Sequence, residues 1–101
     1  MLYSYLENAI QHAEFTLTEF SDQRAYFGCW SLIVEGNGHT YSIVHEGRDG
    51  WLIFYRRDVY GTLTELDKKE SACMDDTDKA SQCLIWLSDY PHFLVFNDQQ
   101  L

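Results

Sequence analysis

The chain has 101 residues, of which sixteen are Asp or Glu and seven are Lys or Arg, so its formal net charge at pH 7 is −9. That charge repels nucleic-acid phosphates and anionic lipid head groups and favours basic partners, which argues against direct binding to DNA, RNA or a membrane. Apolar residues make up 46% of the sequence and aromatic residues 16%. This composition can form a packed core and excludes a disordered acidic tail. We expect one domain over residues 1–101.

Cysteine usage and the first residues of the chain predict a cytoplasmic protein. Cys29, Cys73 and Cys83 are odd in number and form no CxxC pair, so they do not indicate a disulfide framework. The opening sequence MLYSYLENAIQHAEF lacks the basic start and the continuous apolar run of a signal peptide. No stretch approaches the roughly 20 apolar residues that a membrane helix needs.

The first predicted element is an amphipathic helix over residues 2–14. Its apolar residues recur every three or four positions, as one face of a helix requires. They are Leu2, Leu6, Ala9, Ile10 and Ala13, with Leu17 continuing the spacing.

Three strands of an antiparallel meander are predicted next, over about residues 25–57. Apolar residues alternate with others along each strand, and the sequences EGNG and GRDG between them suit tight reversals. The alternation predicts which residues share a face. These sets are Trp30, Leu32 and Val34; Tyr41 and Ile43, opposite Thr40 and Ser42; and Trp51, Ile53 and Tyr55, opposite Leu52, Phe54 and Arg56.

The C-terminal part predicts one more strand and a second helix. The weaker strand would run from Thr62 to Leu66, and the helix of about three turns would start beyond an acidic connection, capped by Asp76 or Thr77. Its apolar stripe is Ala80, Cys83, Leu84 and Leu87. Because Pro91 disfavours a helical conformation at the residue before it, we expect the helix to end near Tyr90. Residues 92–101 would then form an edge strand or an extended strap.

The predicted fold class is therefore α+β. An antiparallel β-meander of three to five strands would pack one face against an N-terminal and a C-terminal helix.

The candidate catalytic and metal-binding groups form no recognisable constellation. His39 and His45 lie roughly 20 Å apart along one strand, too far for one metal ion. Cys29 could approach His39 across the hairpin, but a zinc site needs three or four converging ligands. A catalytic thiol needs a histidine in contact and electropositive surroundings, whereas Cys83 lies on an apolar stripe and Cys73 beside acidic residues. We expect no metal, no cofactor and no enzymatic activity.

Residues 39–88 contain two motifs separated by an acidic stretch. The first is DGWLIFYRRDVYGTLTEL, where Trp51 and Tyr55 form an aromatic W-x-x-x-Y pattern, and the second is the predicted helix DKASQCLIWL, which carries Ala80 and Cys83. In this combination residues 39–88 resemble the immunity proteins of bacterial polymorphic-toxin and contact-dependent growth inhibition systems, in which an aromatic strand, an acidic stretch and an alanine- and cysteine-bearing helix follow one another. The resemblance implies a protein that catalyses no reaction and binds one cognate toxin. Such toxins are often nuclease-type effectors, and the immunity protein blocks their active site or substrate groove.

A candidate partner surface combines six acidic residues within fourteen positions with two tyrosines. The acids are Glu65, Asp67, Glu70, Asp75, Asp76 and Asp78, and the tyrosines are Tyr55 and Tyr60. The carboxylates would speed association with a basic toxin groove, and the tyrosines would anchor the complex. However, Arg56, Arg57, Lys68 and Lys69 interrupt this negative field. The acidic run is therefore either a contact surface or a solvated stretch that keeps the chain soluble.

Two other function classes remain open. A phage-encoded inhibitor of a host defence nuclease, or another small acidic inhibitor or adaptor, would share the size, charge and lack of catalytic groups. A small-ligand-binding domain or an enzyme would need a concave pocket with convergent polar groups. His39, His45 and Cys29 gathered in such a pocket would favour that class.

Overall fold

The computed structural model describes residues 2–23 and 25–100, and it describes side chains as far as residue 89. In chain order the elements are α1 (Leu2–His12), β1 (Thr16–Gln23), β2 (Cys29–Gly36), β3 (His39–Glu46), β4 (Trp51–Arg57), β5 (Leu63–Glu70) and α2 (Asp76–Gln100). The strands form one antiparallel sheet in the order β1-β2-β3-β4-β5. The predicted α+β class and meander are confirmed.

The two edge strands differ from the prediction. β1 precedes the predicted strands and was missed, because a register shift between Leu17 and Glu19 breaks its alternation. Residues 25–28, expected at the start of the first strand, form the turn between β1 and β2. β5 continues past Leu66 to Glu70. The charged residues after Leu66 predict a connecting segment rather than a strand. Charged side chains are nevertheless common on an edge strand, where they discourage pairing with another chain.

The second helix is longer than predicted. We expected it to end near Tyr90, whereas α2 continues through Pro91 to Gln100. The edge strand or strap expected over residues 92–101 is therefore wrong as far as residue 100, and residue 101 lies outside the described residues. A proline removes one backbone donor and costs about 3 kcal/mol inside a helix. This penalty is local, so it weakens or bends a helix without forbidding its continuation.

Both helices pack on one face of the sheet, as predicted. The Trp86 ring of α2 stacks on Phe54 of β4 with ring centroids 5.1 Å apart and planes 7° apart. Phe54 in turn stacks on Tyr41 of β3, again at 5.1 Å. The indole Nε1 of Trp86 donates a hydrogen bond of 2.9 Å to Oδ2 of Asp67 on β5. These contacts fix α2 across the last three strands.

The core lies between this face and the helices. The predicted stripes Trp30, Leu32 and Val34 of β2 and Tyr41 and Ile43 of β3 point into it, together with Leu52 and Phe54 of β4. The other predicted stripe of β4, Trp51, Ile53 and Tyr55, points to the opposite face. The most deeply buried strand residues are Trp30, Leu32, Val34, Tyr41, Ile43, Leu52 and Phe54, and the helices add Leu2, Leu6, Ile10, Cys83, Trp86 and Leu87.

We predict that Trp86→Phe lowers the free energy of unfolding by about 1–2 kcal/mol, because the half-buried Asp67 carboxylate loses its donor while most of the ring stacking is kept. Urea unfolding followed by circular dichroism measures the change. Trp51→Phe is the matched control, because Trp51 is half-exposed on the opposite face of the sheet. Equal losses in the two variants would contradict a stabilising role for the hydrogen bond between Trp86 and Asp67.

Candidate functional site

The face of the sheet opposite the helices, called here the open face, is covered by no element of the described chain. Strand register arranges its residues in four rows. From the β4–β5 hairpin end, the rows are Thr16, Glu35, Thr40, Arg57 and Leu63; Glu19, Ile33, Ser42, Tyr55 and Glu65; Ser21, Ser31, Val44, Ile53 and Lys68; and Glu46, Trp51 and Glu70.

Five apolar or aromatic residues occupy the middle of the open face. They are Ile33, Val44, Trp51, Ile53 and Tyr55. All five are half-buried, because neighbouring side chains on the same face cover part of each. The open face of a one-sided antiparallel sheet is ordinarily polar, and a continuous apolar patch at a protein surface often marks an interaction site.

Charged residues surround this apolar centre. The open face carries five carboxylates and two cations, a net charge of −3. The carboxylates are Glu19, Glu35, Glu46, Glu65 and Glu70, and the cations are Arg57 and Lys68. The Lys68 ammonium lies over the Trp51 ring, 4.4 Å from its centroid, in a cation–π contact. The net field of this face therefore favours a basic partner.

The structure does not bring the six predicted acidic residues together. Glu65 and Glu70 lie on the open face, in the rows of Tyr55 and Trp51. Asp67 points to the helix side, where it accepts the hydrogen bond from Trp86 and where one of its oxygens is 3.9 Å from Nζ of Lys69. Glu65 and Asp67 are two positions apart and would share a face of a regular strand. The register shift between Phe54 and Tyr55 leaves Leu66 as an extra residue of β5, and this irregularity turns Asp67 to the other face.

The other three acids surround the start of α2. Oδ1 of Asp75 accepts hydrogen bonds from the Thr77 hydroxyl at 2.7 Å and from the Asp78 amide at 2.8 Å. Oδ2 of Asp78 accepts one from the Asp75 amide at 3.2 Å. The hydrogen bonds from Thr77 and Asp78 lower the pKa of Asp75. This reciprocal capping box makes Asp75 the cap, one or two positions before the predicted Asp76 or Thr77.

The β4–β5 hairpin tip, residues 58–62, displays two large side chains on a braced loop. Val59 is 93% exposed and Tyr60 is 90% exposed. Oδ1 of Asp58 accepts hydrogen bonds of 2.9 Å from the amides of Tyr60 and Thr62. The Gly61 amide donates to the Asp58 carbonyl at 3.0 Å, and Gly61 has φ +84°, where glycine is favoured. The tip is therefore ordered before any partner binds.

His45 joins two segments at the opposite end of the sheet, the β1–β2 turn and the residue that follows β5. Its Nδ1 lies 2.7 Å from the Gly28 carbonyl oxygen, and its Nε2 lies 3.2 Å from the Ser71 hydroxyl. The network assigns a neutral ring that donates from Nδ1 and accepts at Nε2. Burial lowers the pKa of His45. The β3–β4 turn lies close to the β1–β2 turn, since a Cβ added at Gly47 would overlap the carbonyl oxygen of Phe27.

His39, His45 and Cys29 are not gathered at one place. His39 pairs with Gly36 at one end of the β2–β3 hairpin, whereas His45 and Cys29 lie at the other end. Cys29 therefore does not approach His39 across the hairpin. Cys29 is half-buried and Cys73 is exposed. Burial raises the pKa of the Cys83 thiol to about 12.

Searches over the described residues and comparisons with known proteins give three negative results. In the described part of the chain, no three His, Cys, Asp or Glu side chains are placed to hold a metal ion. None of its helices combines the length and the apolar character needed to cross a membrane. Comparison with protein-family models, curated proteins and solved structures finds no match to this chain.

We predict that lowering the pH from 7.5 to 5.5 destabilises the wild type more than His45→Gln. In the unfolded chain His45 takes up a proton near pH 6.5, whereas burial holds its folded pKa lower. Stability present above about pH 6.5 is therefore lost as the pH falls toward the folded pKa, because protons bind the unfolded chain preferentially.

The measurement is urea unfolding at several pH values, with His12→Gln as the control because His12 is exposed at the end of α1. The His12 variant should follow the wild-type profile. If stability falls with pH as steeply in His45→Gln as in the wild type, His45 is not the titrating group.

Proposed function

We propose that this chain is an immunity protein, which binds and neutralises a cognate bacterial toxin of the nuclease type in the cytoplasm. It would act by covering the active site or substrate groove of the toxin. One observation carries the proposal, the apolar centre of the open face formed by Ile33, Val44, Trp51, Ile53 and Tyr55. The resemblance of residues 39–88 to immunity proteins supports the same assignment.

The size and shape of the open face favour a macromolecular partner. Strand spacing and rise make it roughly 20 Å wide and 20 Å long, on the order of 400 Å². The exposed hairpin tip extends this surface beyond the sheet, and a standard protein interface takes ~800 Å² from each partner. Small-molecule sites are concave and enclose most of their ligand, whereas a sheet face offers a broad contact area.

The net negative charge of the open face favours a basic partner, and the substrate groove of a nuclease is basic. The acidic rim would steer the encounter and raise the association rate. The apolar centre would lose water in the complex and slow dissociation. Among the acids predicted from the sequence, Glu65 and Glu70 flank the aromatic residues of β4 and so belong to this surface.

The braced hairpin tip supports the same function. A tyrosine is a frequent anchor in protein interfaces, and Tyr60 is held in an ordered loop with its side chain almost fully exposed. An anchor that is already ordered loses less conformational entropy on binding. Tyr60 therefore joins Tyr55 as a proposed contact residue, with Val59 beside it.

The apolar centre is tested by co-expression with the toxic domain encoded by the gene immediately upstream. Wild-type protein should restore growth, and Ile53→Ser should weaken binding by at least about tenfold, because it places a hydroxyl at the middle of the interface. Ile85→Ser is the matched control, because Ile85 is 51% exposed on α2, away from the open face. Binding is measured by calorimetry and protection by growth.

The possible outcomes test the immunity role and the choice of the open face as the binding surface separately. A wild-type chain that fails to protect would contradict the immunity role for that toxin. Protection and affinity unchanged in Ile53→Ser would leave the function and exclude the open face. A partner that is a host defence nuclease would instead identify a phage-type inhibitor acting through the same face.

The role of the acidic rim is tested by association rates at two salt concentrations. Glu65→Gln with Glu70→Gln should slow association several-fold at low salt and reduce its salt dependence, because rim charges act on the encounter. The control changes Asp75, Asp76 and Asp78 to Asn, which keeps capping ability and removes charge outside the open face. If only the Asn set slows association, the contact surface lies at the start of α2.

A further inference from the structure

A cleft of 440 Å³ opens at one end of the sheet, where the β2–β3 turn lies beside the β4–β5 hairpin. Most of its lining is polar and comes from three strands and the hairpin tip. The polar lining residues are His39, Thr40, Arg56, Arg57, Asp58 and Thr64. The apolar centre of the open face does not contribute to it.

Two arginines in this cleft have no carboxylate partner among the described side chains. Acidic residues outnumber basic ones sixteen to seven in this chain, yet neither Arg56 nor Arg57 forms an ion pair within the described structure. Glu35 shares a row with Arg57, but Thr40 of β3 stands between them, so their backbones are about 10 Å apart. Oδ1 of Asp58 accepts hydrogen bonds from its own loop. The two guanidinium groups therefore keep their donors available.

The fold holds the two arginines at the cleft from different sides. Arg57 lies against the hairpin, since a Cβ at Gly61 would be 3.5 Å from one of its terminal nitrogens. Arg56 projects from the helix-facing side of β4, opposite Tyr41 in the register. Consecutive residues of a strand point to opposite faces, so the two side chains approach the end of the sheet from its two faces.

The ring of Tyr41 lies behind a residue of the cleft wall. Tyr41 is fully buried, and its hydroxyl has no hydrogen-bond partner among the described residues. Its ring lies 6.1 Å from that of His39, a residue that lines the cleft. Burial raises the pKa of Tyr41, and the charge of Arg56 partly offsets this effect, so the hydroxyl stays protonated at neutral pH. Unsatisfied buried polar groups are rare and costly in native proteins.

We infer that this cleft binds an oxyanion, a carboxylate or a phosphate group carried by a small organic molecule or by a partner protein. Each guanidinium presents N–H donors in a planar fork that matches two oxygens of such a group. The hydroxyls of Thr40 and Thr64 add neutral donors, and Val59 offers an apolar wall for the attached organic group. The inference does not depend on the proposed toxin. The cleft shares Thr40 and Arg57 with the first row of the open face, but its two arginines select an anion, whereas the net charge of the open face favours a basic partner.

The test is a titration of the ¹⁵N-labelled chain at pH 7.5 with two probes, inorganic phosphate and glutarate, at constant ionic strength adjusted with sodium chloride. Saturable amide shifts are expected at Gly38, Thr40 and Thr64. Arg56→Gln and Arg57→Gln should each weaken binding by about tenfold or more, since each removes a charged hydrogen bond. Arg56→Lys should restore only part of the affinity, because an ammonium cannot bind two oxygens in a fork.

The matched control is Arg48→Gln, because Arg48 lies at the other end of the sheet, over the Phe27 ring at 5.8 Å. It should bind both probes as the wild type does. Tighter binding of phosphate identifies a phosphorylated ligand, and tighter binding of glutarate identifies a carboxylate. The inference is overturned if neither probe gives saturable shifts, or if the Arg56 and Arg57 variants bind as well as Arg48→Gln.

Discussion

The stack of Trp86 on Phe54 and of Phe54 on Tyr41 decides which face of the sheet is buried. A chain of about this length has enough apolar material for one well-packed layer of helices against a sheet. Once α2 is held to β4 and β5 by the ring stack and by the bond to Asp67, strand alternation places every second residue on the uncovered side. The composition of the open face is therefore set by the same residues that complete the core.

The uncovered side combines features that an ordinary solvated sheet lacks. Its centre is apolar and aromatic, its rim is net acidic, and a braced loop extends from one end. Each feature acts at a different stage of binding. Rim charges act over about 8–10 Å in physiological salt, whereas the central side chains contribute once water has left the contact. A surface of this kind can be both fast to find its partner and slow to release it.

The sequence predicted the architecture well wherever alternation was uninterrupted. The core-facing residues of β2 and β3 and the apolar stripes of both helices are where the pattern placed them. For β4 the pattern separated two sets of residues, and the packing of Phe54 shows which set is buried. β1 was missed because the register shift after Leu17 changes the phase of its alternation. The continuation of α2 past Pro91 was missed because a proline rule describes a preference at one residue, and the rest of a helix can outweigh it.

The candidate site was predictable only in part, because it depends on strand register and loop geometry. Tyr55, Glu65 and Glu70 could be named from composition, but the separation of Asp67 from Glu65 follows from the register shift at Leu66 in β5. The exposure of Val59 depends on how the hydrogen bonds of Asp58 fold the hairpin tip. The cleft beside Arg56 and Arg57 forms where two hairpins meet, a relation that no local sequence pattern encodes.

The packing of α1 against α2 joins elements from opposite ends of the chain. During synthesis each strand can pair with the one made before it, since the meander is built from neighbours in sequence. The part of the core-facing side that α2 covers, including Phe54 and Tyr41, nevertheless stays uncovered until α2 has left the ribosome. A nascent chain therefore exposes apolar surface on both sides of its sheet, which makes this stage the most prone to aggregation and the one at which a chaperone would be of most use.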